Sequence, residues 1–228
     1  MSDRYLLVRH GETIWSGEGR YAGHSDIPLS ETGRAQVRRL ARLLPGEPLS
    51  AAYTSDLRRA VETLELLLEG GAGKRGDPGQ ATPPVVRRCP ELRELHFGSW
   101  EGQTYAELAV HAGAAEVLAG EAAPPGGESL TQLAHRLQRF LTVLRDPSSD
   151  GQRPRGGRRT ALIVTHGGPL RVLLCLLLGL PPAEQWRFQV DYASVTEVAW
   201  DGATGARLVR ANARCDEACQ EEGEREGR

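Results

Sequence analysis

Two histidines stand in the same kind of place along the chain. Tyr5 to Val8 is a short apolar run ending in Arg9-His10-Gly11, and Thr160 to Val164 is another ending in Thr165-His166-Gly167-Gly168. Both runs read as buried strands, and open α/β sheets bind ligands beyond the carboxyl ends of their strands. The glycines beside each imidazole let the backbone come close to a ligand. A third short run, Ala51 to Thr54, is followed by Arg58 and Arg59 at the start of a helical pattern. A guanidinium's rigid fork matches phosphate geometry and stays charged at any working pH. An acid comes later, Glu91 or Glu94 in Glu91-Leu92-Arg93-Glu94. Imidazoles, guanidiniums and one carboxylate are what phosphoryl transfer through a histidine requires.

The elements that must position these groups alternate between strand and helix signals. Ser30 is placed to cap a helix from Glu31 to about Leu44, with Val37, Leu40, Ala41 and Leu44 on one face. Ser55 or Asp56 is placed to cap a helix through Leu68, with Leu57, Val61, Leu64 and Leu68 as its stripe. Ser129 and Gln132 form a capping-box pattern that opens the strongest helix, carrying Leu130, Leu133, Leu137, Phe140, Leu141 and Leu144. Pro169 suits the first turn of an apolar helix running to about Leu178. Ser194 to Trp200 and Ala206 to Ala211 bracket Asp201-Gly202-Ala203-Thr204-Gly205 as a hairpin. Gly70 to Pro84 and Asp146 to Arg159 read as surface loops. This order predicts a three-layer α/β/α sandwich with a mostly parallel central sheet. One domain is expected over residues 1–214, with a charged, disordered tail over 215–228.

Composition narrows the setting. The 228 residues are 39% hydrophobic and 25% charged, enough for a core that needs no disulfides. Twenty-eight basic residues against thirty acidic ones leave a charge of −2, which gives no sign of a nucleic-acid or membrane partner. Cys89, Cys175, Cys215 and Cys219 form no C-x-x-C pair, and no H-E-x-x-H is present, so no metal or cofactor is expected. A reducing, cytoplasmic setting follows from that cysteine usage. The longest apolar run, Val172 to Leu180, is well short of the ~20 residues a membrane helix needs. Gly70-Gly71-Ala72-Gly73-Lys74 fails as a phosphate loop, because Leu68 and Arg75 occupy its other key positions. Gly23-His24-Ser25 and Gly127-Glu128-Ser129 lack the closing glycine of a nucleophile elbow.

Leu7-Val8-Arg9-His10-Gly11-Glu12-Thr13 resembles the signature of the histidine phosphatase superfamily, with its phosphoglycerate-mutase-like fold. The likeness continues through Asp26-Ile27-Pro28-Leu29-Ser30 with Gly33, and through Ser55-Asp56-Leu57-Arg58-Arg59-Ala60. It resumes at Leu92-Arg93-Glu94, Phe97-Gly98, Glu101-Gly102, Gly126-Gly127-Glu128-Ser129 and Thr165-His166-Gly167, in the family's order. The resemblance implies that His10 is the nucleophile, that Arg9, Arg59 and His166 hold the phosphoryl oxygens, and that Glu94 is the proton donor. Arg59 is chosen over Arg58 because it precedes Ala60, and Glu94 over Glu91 because it follows Leu92-Arg93. Ser16, Gly23 and Gly167 are the further substrate contacts so implied, although Ser16 stands where many members carry Asn. Glu128 is read as organising the helix start beside the site. His96, Trp15 and Trp100 fit either a pocket wall or packing, and His24, His111 and His135 receive no role.

The family holds both hydrolases and mutases. Mutases carry basic residues after the acid motif, whereas here no Lys or Arg follows Arg93 until Arg136. A trianionic substrate would meet Glu107, Glu116 and Glu121 instead, unless these point outward. Ala22 also stands where mutases carry threonine. The expectation is a metal-independent phosphatase of small phosphate esters, either broad or of sugar-phosphate or α-ribazole-phosphate type, with assembly as a homo-oligomer left open. The alternatives are a phosphoglycerate mutase and a non-catalytic phosphate-binding module.

Overall fold

The computed structural model describes residues 2–44, 46, 48–73, 84–110, 113–146, 158–202 and 205–215. Six strands form one sheet: β1 (Asp3–Arg9), β2 (Ala51–Thr54), β3 (Val85–Arg88), β4 (Thr160–Thr165), β5 (Val195–Trp200) and β6 (Ala206–Ala213). Their order is β3-β2-β4-β1-β5-β6. The first four are mutually parallel, and β5 and β6 extend the sheet antiparallel as the expected hairpin. Tyr5, Leu6, Leu7 and Val8 are fully buried, as a central strand covered on both faces must be.

Alternate β1 residues feed two cores. Tyr5 and Leu7 pack with helix α6 (Leu130–Arg145) and helix α7 (Gly167–Leu178). Leu6 and Val8 pack on the other face with helix α2 (Glu31–Leu40) and helix α3 (Arg58–Glu69). This is the three-layer arrangement expected. Leu133, Leu137, Phe140, Leu141 and Leu144 of α6 are buried, each contributing about 2 kcal/mol of apolar burial. A smaller cluster of Trp100, Leu108, Ala114 and Val117 carries the short helices α4 (Tyr105–Ala109) and α5 (Ala114–Ala119). Among the described residues no helix is long and apolar enough to cross a membrane.

Several local expectations change. Helix α2 keeps its Ser30 cap but gives way to a 3₁₀ turn at Ala41–Leu43. Helix α3 is capped by neither Ser55 nor Asp56: the Asp26 carboxylate accepts from Arg58 N at 2.6 Å. The buried face of α3 is Ala60, Thr63, Leu64 and Leu67, with Val61 and Leu68 only half-buried. Strand β3 follows the Gly/Pro-rich segment as an exposed edge. Positions 74–83 and 147–157 of the two loops, 216–228 of the tail, and His111 lie outside the described residues.

Register delivers the site. Arg9 of β1 is opposite Thr165 of β4, so His10 and His166 leave adjacent parallel strands side by side. The loop after β1 then lies directly on α2. A side chain on Gly33 would meet Glu12 O at 2.0 Å, and one on Gly11 would meet Gly33 O at 2.6 Å. Gly33→Ala is therefore expected to destabilise the fold by more than about 2 kcal/mol and to displace His10. Chemical denaturation of the pair of proteins measures it, and an unchanged midpoint would contradict the close approach.

Candidate active site

His10 is buried, and its Nδ1 lies 2.6 Å from Gly11 O. A carbonyl only accepts, so Nδ1 carries the proton and Nε2 keeps its lone pair. Backbone bonds fix the residue further: His10 N donates to Thr165 O at 3.0 Å, and Ala193 N donates to His10 O at 3.1 Å. Ala193 adopts φ +47°, a conformation that costs a non-glycine residue energy and that is common beside functional groups.

His166 is held in the opposite tautomer. Arg59 Nε–H donates to His166 Nδ1 at 3.1 Å, so the imidazole proton sits on Nε2. That Nε2–H is buried and has no partner among the described residues. The two rings meet edge-on at 5.0 Å between centroids. Arg59 is itself buried, donating to Ser25 O at 2.8 Å and Gly23 O at 2.7 Å. Burial lowers its pKa to about 10, which leaves it charged. Thr63 ties it to the His10 loop, accepting from Gly11 N and donating to Arg59 O.

Arg9 donates through Nη1 to Val190 O at 2.7 Å, while its buried Nε–H has no partner among the described residues. Its guanidinium stacks 3.7 Å from the centroid of Tyr192, whose ring also lies 5.6 Å from His10. Two buried donors without a partner among the described residues, Arg9 Nε and His166 Nε2, thus belong to the side chains next to His10 in the chain and against its ring.

Glu94 completes the set at the N-terminus of α7. Its Oε1 accepts from Leu95 N at 2.9 Å and from Gly168 N at 3.2 Å. A side chain on Gly168 would reach 2.6 Å from Oε1, which explains the second glycine. The Glu94 backbone carbonyl accepts from Arg136 Nη2 at 2.8 Å and from His24 Nε2 at 3.0 Å. Glu128 orients Arg136 through a two-bond ion pair, and Thr165 Oγ1 donates to Leu92 O. Glu101 accepts from His24 N, Ser25 N, Ser25 Oγ and Phe97 N, and so holds the loop whose carbonyls grip Arg59.

Arg9, His10, Ser16, Gly23, Arg59, Glu94, Gly167 and Gly168 all border one cavity of about 450 Å³. The Ser16 hydroxyl is engaged with Thr13 in the cap of helix α1 (Ile14–Gly17). Gly23 brings a carbonyl to Arg59 and, at φ +49°, leaves room for Glu101. His96 stacks on His24, and Trp100 is buried in the α4–α5 cluster. Glu107, Glu116 and Glu121 are exposed and do not border the cavity, so the feared repulsion is absent.

Reading by sequence windows missed four groups. Arg20, Arg171 and Tyr192 border the cavity, and His24 braces Glu94. Arg171 alone had a signal, standing three and four residues after the Gly168 and Gly167 of the same helix. Among the described residues no cluster of three or more His, Cys, Asp or Glu could hold a metal ion.

Both imidazoles are held well below the ordinary value of 6.5. For His10 the causes are burial, then Arg59 and Arg9; for His166 they are burial, then Arg59. The unfolded chain takes up these protons as pH falls below about 6.5, while the folded chain resists them. Their stability contribution is therefore complete above that pH and declines below it, by up to about 1.4 kcal/mol per pH unit for each imidazole. Urea denaturation between pH 7.5 and pH 5.5 in phosphate-free buffer measures the slope. His10→Gln is expected to make it shallower, and an unaltered slope would mean that His10 titrates normally.

The comparisons with known proteins agree with this geometry. The model of the histidine phosphatase superfamily (branch 1) matches residues 5–214. The chain is 36% identical over 193 residues to an adenosylcobalamin/alpha-ribazole phosphatase of Salmonella typhimurium, covering 82% of this chain and 86% of that one. It is 34% identical over 191 residues to a 2,3-bisphosphoglycerate-dependent phosphoglycerate mutase 2 of Gloeobacter violaceus, covering 82% and 81%. The solved structure of a mycobacterial glucosyl-3-phosphoglycerate phosphatase superposes with a TM-score of 0.75 at 31% identity, covering 93% of this chain and 99% of that one. With the sheet, the paired imidazoles and these matches in agreement, the chain belongs to branch 1 of the histidine phosphatase superfamily and is an enzyme of that family.

Proposed function

We propose that the chain is a metal-independent phosphomonoesterase that hydrolyses small phosphorylated metabolites through a phosphohistidine at His10. The observation that carries this reading is the pair of opposite tautomers, one presenting a lone pair and the other a proton. In the first step His10 Nε2 attacks phosphorus in line; the P–N bond forms as the P–O bond to the alcohol breaks. The positive charge on the phosphorylated ring is stabilised by Nδ1–H donating to Gly11 O. Arg9, Arg59 and His166 Nε2–H hold the equatorial oxygens, the electrostatic role expected in phosphoryl transfer. Glu94 protonates the departing alkoxide, then takes a proton from water as that water attacks phosphorus and breaks the P–N bond. Phosphate leaves and His10 returns neutral.

A hydrolase of sugar phosphates or of α-ribazole phosphate is the substrate reading, supported by the phosphatases among the relatives. The mutase relative keeps a second reading in play, in which the phosphohistidine is discharged onto a phosphoglycerate. Against it, the described residues of 102–125 that border the cavity are Tyr105, Val117, Gly120 and Ala122, none of them a cation. A non-catalytic module is opposed by the assembly of Arg9, His10, Arg59 and Glu94 at one cavity, with His166 buried against Arg59 and His10.

Phosphate release in EDTA from α-ribazole phosphate, sugar phosphates and both phosphoglycerates tests the proposal. His10→Ala is expected to lose at least about a thousandfold, and full activity in that variant would overturn the assignment. Faster interconversion of the phosphoglycerates than release of phosphate would favour the mutase. Glu94→Gln is expected to cost about a hundredfold with alkyl phosphates and less than about tenfold with 4-nitrophenyl phosphate, whose leaving group needs no proton. Equal losses would remove the acid role.

A further inference from the structure

We infer that Arg171, Gln185 and Trp186 form a subsite for a carboxylate carried on the alcohol part of the phosphomonoester. The inference rests on the phosphomonoesterase reading and adds the class of substrate. Gln185 is 7% exposed and borders the cavity, yet its side-chain amide has no hydrogen-bond partner among the described residues. A side-chain amide at a cavity wall with no protein partner has its hydrogens and its oxygen free for a ligand atom. Arg9 Nε and His166 Nε2, buried donors without a partner among the described residues, belong to the phosphoryl site proposed above. Gln185 comes from a different segment, the 3₁₀ helix Pro182–Arg187.

Arg171 supplies the charge. Its Nε donates to Phe188 O at 3.1 Å, its guanidinium carbon lies 4.9 Å from the Trp186 ring centroid, and no carboxylate among the described residues pairs with it. A methyl placed on Gly167 would lie 3.3 Å from Arg9 Cζ and 3.4 Å from Arg171 Nη1. Bare backbone is thus all that separates the phosphoryl-holding guanidinium from a second one on the same wall. A dianionic phosphoryl group already has Arg9 and Arg59, so Arg171 is surplus unless the substrate carries more negative charge. Its Nη groups and the Gln185 amide offer hydrogens, which a planar carboxylate accepts in the fork geometry of arginine. The neighbouring lining from Val117, Leu130 and Leu133 is apolar and offers such a group nothing.

Calorimetric binding to the His10→Ala protein, which cannot turn esters over, tests the subsite apart from catalysis. The probes are phosphoglycolate against ethyl phosphate, and 4-carboxyphenyl phosphate against phenyl phosphate. At least one carboxylated member is expected to bind about tenfold or more tightly than its partner. That preference is expected to fall below about threefold when Arg171→Leu or Gln185→Leu is added. Gln185→Leu leaves the Arg171–Phe188 bond intact, so its loss of preference cannot come from a collapsed loop. Equal binding within both pairs, or equal losses for charged and uncharged probes in both variants, would overturn the subsite. Failure of the phosphomonoesterase reading shows separately, as absence of phosphate release by the wild-type protein.

Discussion

One constraint governs the centre of this molecule: two buried imidazoles must stay neutral and carry their protons on opposite nitrogens. Neither partner can reverse its role, since Gly11 O only accepts and Arg59 Nε–H only donates. Burial removes the water that would stabilise an imidazolium, and Arg59 beside both rings disfavours a further positive charge. The same guanidinium thus sets the tautomer of His166 and keeps the proton off His10. A charged His10 would have no lone pair to offer.

Keeping Arg59 in place occupies much of the surrounding structure. Each of its Nη groups gives one hydrogen to a carbonyl, of Gly23 or Ser25, and that loop is pinned to Glu101 by three bonds from His24 and Ser25. Gly23 is required twice, for its positive φ and because a side chain there would strike Glu101 at 2.1 Å. Asp26, from the same loop, caps the helix that carries Arg59. Loop, helix and guanidinium therefore order one another, and each would lose its partner if one moved.

The parts legible in the sequence were those whose signal is local. Strand ends at Val8 and Val164, the Ser129–Gln132 capping box and the hairpin about Gly202 each lie within a few residues of their cause. Strand β3 gave no such signal: Val85 to Arg88 pair only with β2 and are exposed on every residue, so no alternation marks them. The α3 cap comes from Asp26, 32 residues before Arg58, and no window can reveal that. The roles of His24 and Glu101 were hidden for the same reason, since each acts on a segment seventy or more residues away. The absence of cations between Arg93 and Arg136 was read correctly along the chain. It did not describe the cavity, which takes Arg20 and Arg171 from other segments.

A pattern among the arginines separates structure from site. Arg58, Arg93 and Arg136 are paired with the carboxylates of Glu62, Asp56 and Glu128, which cancel their charge where they serve packing or support. Arg9, Arg59 and Arg171 are instead oriented by the carbonyls of Val190, Gly23, Ser25 and Phe188. A carbonyl fixes direction through its dipole without neutralising the cation, so these three keep their full charge for a ligand. Arg20 borders the cavity but pairs with Glu18, and its charge is accordingly committed. What a guanidinium is bound to, more than where it lies in the chain, decides whether it can attract an anion. The scaffold can hold several positive charges near one cavity because it anchors them with dipoles and leaves the compensating negative charge to the substrate.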